Sequence, residues 1–186
     1  MQYLKIAIAI LLLVILLSLF TMALDSSFTS PFHELGHAAV GTMLGVQVTR
    51  IEWGRTYYIS PNDWRENIMG FAGGIIGALA LTVLYMIAND GLEFFANRVT
   101  RERLKRVFIS AKFSIKIAAT ADLMVQLTAG VLEGSNKKLY DGITNNLIAL
   151  FAIFTTLTAI SLALHIVRMS HSDVVDLASK THSITN

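Results

Sequence analysis

The sequence predicts a mostly α-helical, polytopic membrane protein with about four spanning helices, a short helix bearing an HExxH pattern, and a β-hairpin beside that helix. Three observations predict it. Hydrophobic residues fill 54% of the 186 positions, and a mean hydropathy of +0.58 implies more apolar surface than a soluble domain of this size can bury. The apolar residues are gathered into stretches long enough for a bilayer crossing, which needs about 20 residues at 1.5 Å rise each. One apolar stretch is too short for that, and it carries His33, Glu34 and His37 within five positions.

Taken in order, Tyr3 to Leu24 holds a single charge, Lys5. Its apolar run exceeds the roughly 7–15 residues of a secretory h-region and no clean small-x-small site follows, so 1–24 is expected to remain as the first transmembrane helix. Phe32 to Gly45 is expected to dip into the membrane and return. Val46 to Ser60 alternates β-branched and aromatic residues with polar ones around Gly54-Arg55, which predicts a hairpin. Ile68 to Ala88 and Ile143 to Val167 contain no Asp, Glu, Lys or Arg and read as spans. Phe113 to Leu132 reads as a further span, interrupted by Lys116 and Asp122. Polar loops are expected at 61–67, 89–111 and 133–142, and a soluble tail at 168–186. No repeat or linker divides the chain, so a single domain with its core at 31–142 is the economical reading.

A net charge of +2 forms no basic stripe or aromatic platform, and nucleic acid is set aside as a partner. The absence of cysteine excludes disulfides, thiol nucleophiles and thiolate ligands, leaving His, Asp and Glu for any metal. Trp53, Tyr57, Tyr58 and Trp64 fit an interfacial aromatic belt, and Gly70, Gly73, Gly74 and Gly77 fit close helix packing. The segment 89–112 holds Arg98, Arg101, Arg103, Lys105, Arg106 and Lys112. Because such residues gather on the cytoplasmic side, that loop and both termini are expected to be cytoplasmic in a multi-pass cell-membrane protein. His33 and Asp141 then share the opposite face.

The chemistry centres on His33-Glu34-Leu35-Gly36-His37, directly after Ser30-Pro31, a good N-cap and first helical position. Residues i and i+4 share a helix face, so the two imidazoles can hold one Zn²⁺ while Glu34 serves as base toward a water that the ion makes acidic. The candidates for a third ligand are Asp122, Glu133 and Asp141. Asp122 stands in mid-span, where a lone carboxylate is costly, and is expected near the site as ligand, as acceptor for a ligand histidine, or as an acid bonded to Gln126.

Three segments resemble the site-2 protease family of intramembrane zinc metalloproteases: HELGHAAVGTMLGV, GFAGGIIGALALTVLYM over 70–86, and Leu139-Tyr140-Asp141-Gly142. The resemblance implies zinc on His33, His37 and Asp141, Glu34 as catalytic base, a hairpin that handles an unwound substrate strand, and a membrane protein or peptide as substrate. The chain departs from the family pattern in having no proline within VLEGSNKKLYDG and in carrying Tyr140 where leucine is usual. Two other classes fit the sequence. One is a non-proteolytic scaffold subunit of a larger membrane complex or homo-oligomer. The other is a small transporter component using Asp122.

Overall fold

The computed structural model describes the backbone from Gln2 to Ile184 and the side chains from Leu4 to Arg168. Four helical stretches among these residues are long and apolar enough to cross a membrane: Leu4–Met43, Trp64–Arg98, Glu102–Ser135 and Leu147–Arg168. Most of their large apolar side chains lie outward, as lipid-facing surface requires.

The first stretch is not one regular helix. Helix α1 (Gln2–Leu24) passes through a π-helical turn (Asp25–Thr29) directly into α2 (Ser30–Met43), with no loop between them. The HExxH helix therefore continues the first span, where a separate re-entrant segment was expected. The physical reason lies at Pro31, whose missing N–H and ring disrupt a regular α-ladder. The widened turn absorbs this, with the Ser30 N–H reaching back five residues to the Asp25 carbonyl. Ser30 accordingly lies inside the helix and does not cap it. Helix α2 ends at Met43, and Gly45 beyond it, with a φ of +73°, turns the chain toward the hairpin.

Strands β1 (Val48–Glu52) and β2 (Arg55–Tyr58) form that hairpin, antiparallel, with Ile51 opposite Thr56 and Glu52 opposite Arg55. Two bonds lay it along the HExxH region. Trp53 Nε1 donates to the Ser26 carbonyl at 3.0 Å, and Thr56 Oγ1 donates to the Glu34 carbonyl at 2.8 Å.

Helix α3 (Trp64–Arg98) starts at Asp63, whose side chain accepts from the Arg65 N–H. It and α4 (Glu102–Ser135) extend well beyond their apolar portions, so the loop expected at 89–111 shrinks to residues 99–101. Glu, Arg and Lys there are good helix formers and carry the helices past the apolar run. The two helices meet backbone to backbone. A Cβ on Gly70 would lie 2.6 Å from the Gly134 nitrogen, and one on Gly74 would lie 2.6 Å from the Gly130 Cα. Small residues four apart on both helices permit this approach.

Asn136 ends α4, and its side chain accepts from the Leu139 N–H to open α5 (Lys137–Thr144). Residues 133–142, expected as a loop, are thus mostly helical, and Asp141-Gly142 lies within α5. Helix α6 (Leu147–Ile184) starts on Asn146, which accepts from the N–H groups of Ile148 and Ala149. The backbone of the expected soluble tail is helical to Ile184, while the side chains of 169–186, His171 and His182 included, lie outside the described residues. Val14, Leu17, Ile117 and Leu162 form an apolar core that ties α1, α4 and α6 together.

Candidate metal centre

His33 and His37 lie one turn apart on α2, facing α3 and α4. Both are buried, at 4% and 5% exposure, and their rings meet edge to face with centroids 4.7 Å apart. His33, Glu34 and His37 offer ligand atoms that all lie within 4.8 Å of one another, a group that could hold a metal ion.

The outer hydrogen bonds of the two rings fix which nitrogens face inward. His37 Nδ1 lies 2.7 Å from the Met69 carbonyl oxygen. A carbonyl only accepts, so Nδ1 carries the hydrogen and Nε2 of the neutral ring presents a lone pair. His33 Nδ1 donates in the same way to Gln126 Oε1 at 2.9 Å. The orientation of that amide is set by its other end, where Gln126 Nε2 donates to Asp25 Oδ1 at 2.6 Å. Both Nε2 atoms therefore turn toward one point, and a carboxylate oxygen joins them there. Glu133 Oε2 stands 3.2 Å from His33 Nε2 and 3.1 Å from His37 Nε2.

Two lone pairs and a carboxylate oxygen repel one another unless a positive charge sits among them. A proton on one imidazole would supply it as a hydrogen-bonded ion pair with Glu133, leaving the other ring's lone pair facing the carboxylate. One divalent cation answers the whole donor set. The space for it is kept by Gly73: a Cβ there would lie 2.6 Å from His37 Nε2 and 2.8 Å from His33 Nε2. The residues present fit a zinc ion by donor type, tautomer and room.

The sequence-predicted residues are distributed as follows. His33, Glu34, His37 and Asp141 all line one cavity of about 570 Å³. Asp141 is an exposed residue of α5 on its wall. Asp122 is fully buried and accepts from Thr29 Oγ1 at 2.7 Å. It meets the Asp25 carboxyl, and Gln126 stands between this acid pair and His33. The acceptor for His33 is thus Gln126, with Asp122 one step further out. Asn136 serves as a helix cap.

Residues not singled out from the sequence are Asp25, the Met69 carbonyl and Lys137. One signal for the α4 contribution was available: Asp122, Gln126 and Glu133 recur at helical spacing and form a polar stripe on one face of an otherwise apolar span. No such signal exists for a backbone carbonyl.

Two groups outside the spans complete the cavity wall. Burial first, then the carboxylates of Glu133, Glu34, Asp25 and Asp141, push the Tyr140 phenol well above its usual range, so it stays a neutral hydrogen-bond donor. Burial opposes the charge on Lys137, but its 2.9 Å bond to Tyr58 Oη and the charges of Glu66 and Glu133 outweigh this and raise its pKa. Tyr58, expected in an aromatic belt, is thereby part of the wall. Comparison with protein-family models, curated proteins and solved structures gives no match, and the reading of the site rests on its own chemistry.

Proposed function

We propose that this chain is a membrane-embedded zinc metalloendopeptidase, similar to the site-2 protease family, that hydrolyses peptide bonds in membrane-embedded or juxtamembrane segments. The observation that carries this reading is the convergence of two Nε2 lone pairs and a carboxylate oxygen over Gly73, with Glu34 adjoining them. A zinc ion bound there would polarise a substrate carbonyl and make water acidic enough to attack near neutral pH.

The chain's own residues supply the rest. Glu34 lies beside His33 on the cavity wall and offers the carboxylate that takes a proton from water and passes one to the leaving amine. Its backbone is pinned by the Thr56 hydroxyl. From α5, Tyr140 supplies a neutral O–H and Lys137 a positive charge to the cavity, both suited to a carbonyl oxygen gaining negative charge.

Gly54, Arg55, Thr56 and Tyr58 of the hairpin line the cavity, and β2 pairs with β1 along one edge only. Its other edge offers main-chain groups to an extended peptide, which a helical substrate becomes only after unwinding. The site lies near the start of α3 and the end of α4, away from the connection at 99–101 and the basic residues around it. This suits the expected opposite-face placement of the site; accessibility labelling of single cysteines placed at 100 and 60 tests it.

The test of the activity is cleavage of a transmembrane reporter in proteoliposomes. Glu34→Gln should abolish cleavage and keep the zinc, whereas undiminished cleavage by that variant would sink the proposal. A zinc-free wild type that copurifies in a stoichiometric complex would favour the scaffold reading.

A further inference from the structure

The sequence leaves three carboxylates open for the third protein ligand, and the family resemblance points to Asp141. We infer that Glu133, through Oε2, completes the metal site with His33 and His37; this rests on the zinc reading above.

The geometry of the donors is the first argument. In a tetrahedral zinc site with bonds of about 2.0–2.1 Å, neighbouring ligand atoms stand about 3.3 Å apart. Glu133 Oε2 lies 3.2 Å and 3.1 Å from the two Nε2 atoms. Its spacing to both imidazoles is that of a third tetrahedral ligand.

The carboxylate is also held from beneath. Glu133 projects from the last turn of α4, whose flanking Gly130 and Gly134 press onto α3 backbone. The same face of α4 carries Gln126, two turns earlier, which orients His33. One rigid helix thus presents both the ligand and the acceptor that sets the tautomer of another ligand. Asp141 sits differently, exposed on the eight-residue α5. No described hydrogen bond or ion pair joins its carboxylate to either histidine, and its backbone carbonyl accepts from Asn145. Asp122 is held by Thr29 and Asp25, on the far side of Gln126.

Charge points the same way. Without a metal, the Glu133 carboxylate, with 16% exposure, faces two lone pairs when both rings are neutral and one when a single imidazole is protonated. Coordination removes the conflict.

The experiment is zinc content by elemental analysis and zinc affinity by chelator competition on detergent-purified full-length protein. It compares wild type, His33→Ala, Glu133→Gln, Glu133→His and Asp141→Ala. We expect about one zinc per chain in wild type and loss in His33→Ala. Glu133→Gln should weaken binding at least about 100-fold, more than a lost outer partner costs. Asp141→Ala should stay within about threefold, and Glu133→His, which restores a ligand atom, should recover most of the affinity and exclude misfolding as the cause. Wild-type affinity in Glu133→Gln together with loss in Asp141→Ala would overturn the assignment and leave the zinc reading standing. Zinc in neither wild type nor any variant would overturn both. A Glu133→His protein no better than Glu133→Gln would also count against Glu133 as a ligand.

Discussion

Replacing Gly73 by alanine tests the centre without touching any ligand. In an ordinary helix interior this change stabilises by about 0.5–1 kcal/mol, since glycine loses more backbone freedom on folding. Here the added methyl would stand 2.6 Å from His37 Nε2 and 2.8 Å from His33 Nε2, and closer still to His37 Cε1. Ordinary carbon–nitrogen contact is about 3.5 Å, so the imidazoles must withdraw by nearly 1 Å. That breaks either their convergence or the 2.7 Å bond of His37 to Met69. A displacement of this size typically costs about 100-fold in a preorganised site, and we expect a loss of at least that in zinc affinity. The control is Gly91→Ala on the same helix, where a Cβ meets nothing within 4 Å. It should raise the unfolding temperature and leave zinc binding unchanged. The assay is chelator competition paired with thermal unfolding in detergent. If Gly73→Ala binds zinc as tightly as wild type, the point of convergence over Gly73 is not the metal position and the reasoning fails.

Gln126→Leu removes the acceptor of His33 Nδ1 and the donor to Asp25 together; zinc affinity should fall about 10–100-fold by chelator competition. Gly130→Ala places a methyl 2.9 Å from the Gly74 Cα, and the overpacking should destabilise by about 1–3 kcal/mol, read from unfolding in mixed micelles. Asp122→Asn supplies the hydrogen that a contact between two carboxyls requires and should leave thermal stability near wild type, whereas Asp122→Leu strands Thr29 and should lower it. At Asp63, the Arg65 side-chain bond, then its backbone N–H, hold the carboxyl below its usual range. The folded pKa is depressed, so its contribution is present above the unfolded pKa and lost as pH falls through the folded one. Melting profiles of wild type and Asp63→Asn should therefore converge at acid pH, and parallel profiles would contradict this.

The sequence by itself determined that the chain is built of membrane-length apolar helices, because hydropathy accumulates along consecutive residues and needs no partner to be read. It also determined the hairpin, from its alternation, and the His33, Glu34 and His37 cluster, because five consecutive positions on a helix fix their own geometry. Helix ends are not legible where charged residues extend a helix into water, as at 89–98 and 102–111. The continuity of α1 with α2 was missed because Pro31 reads as a start signal, and only the π turn shows how a proline is carried through. The centre's remaining parts were decided by tertiary structure. Glu133 lies 100 residues from His33 in sequence, and which of three carboxylates meets the histidines depends on how α3 and α4 approach. That approach is set by Gly70, Gly74, Gly130 and Gly134, whose missing side chains let two backbones touch. The orientation of His37 depends on a main-chain carbonyl, at Met69, which no residue type encodes. Local periodicity is written in neighbouring residues; convergence of distant ones is a property of packing alone.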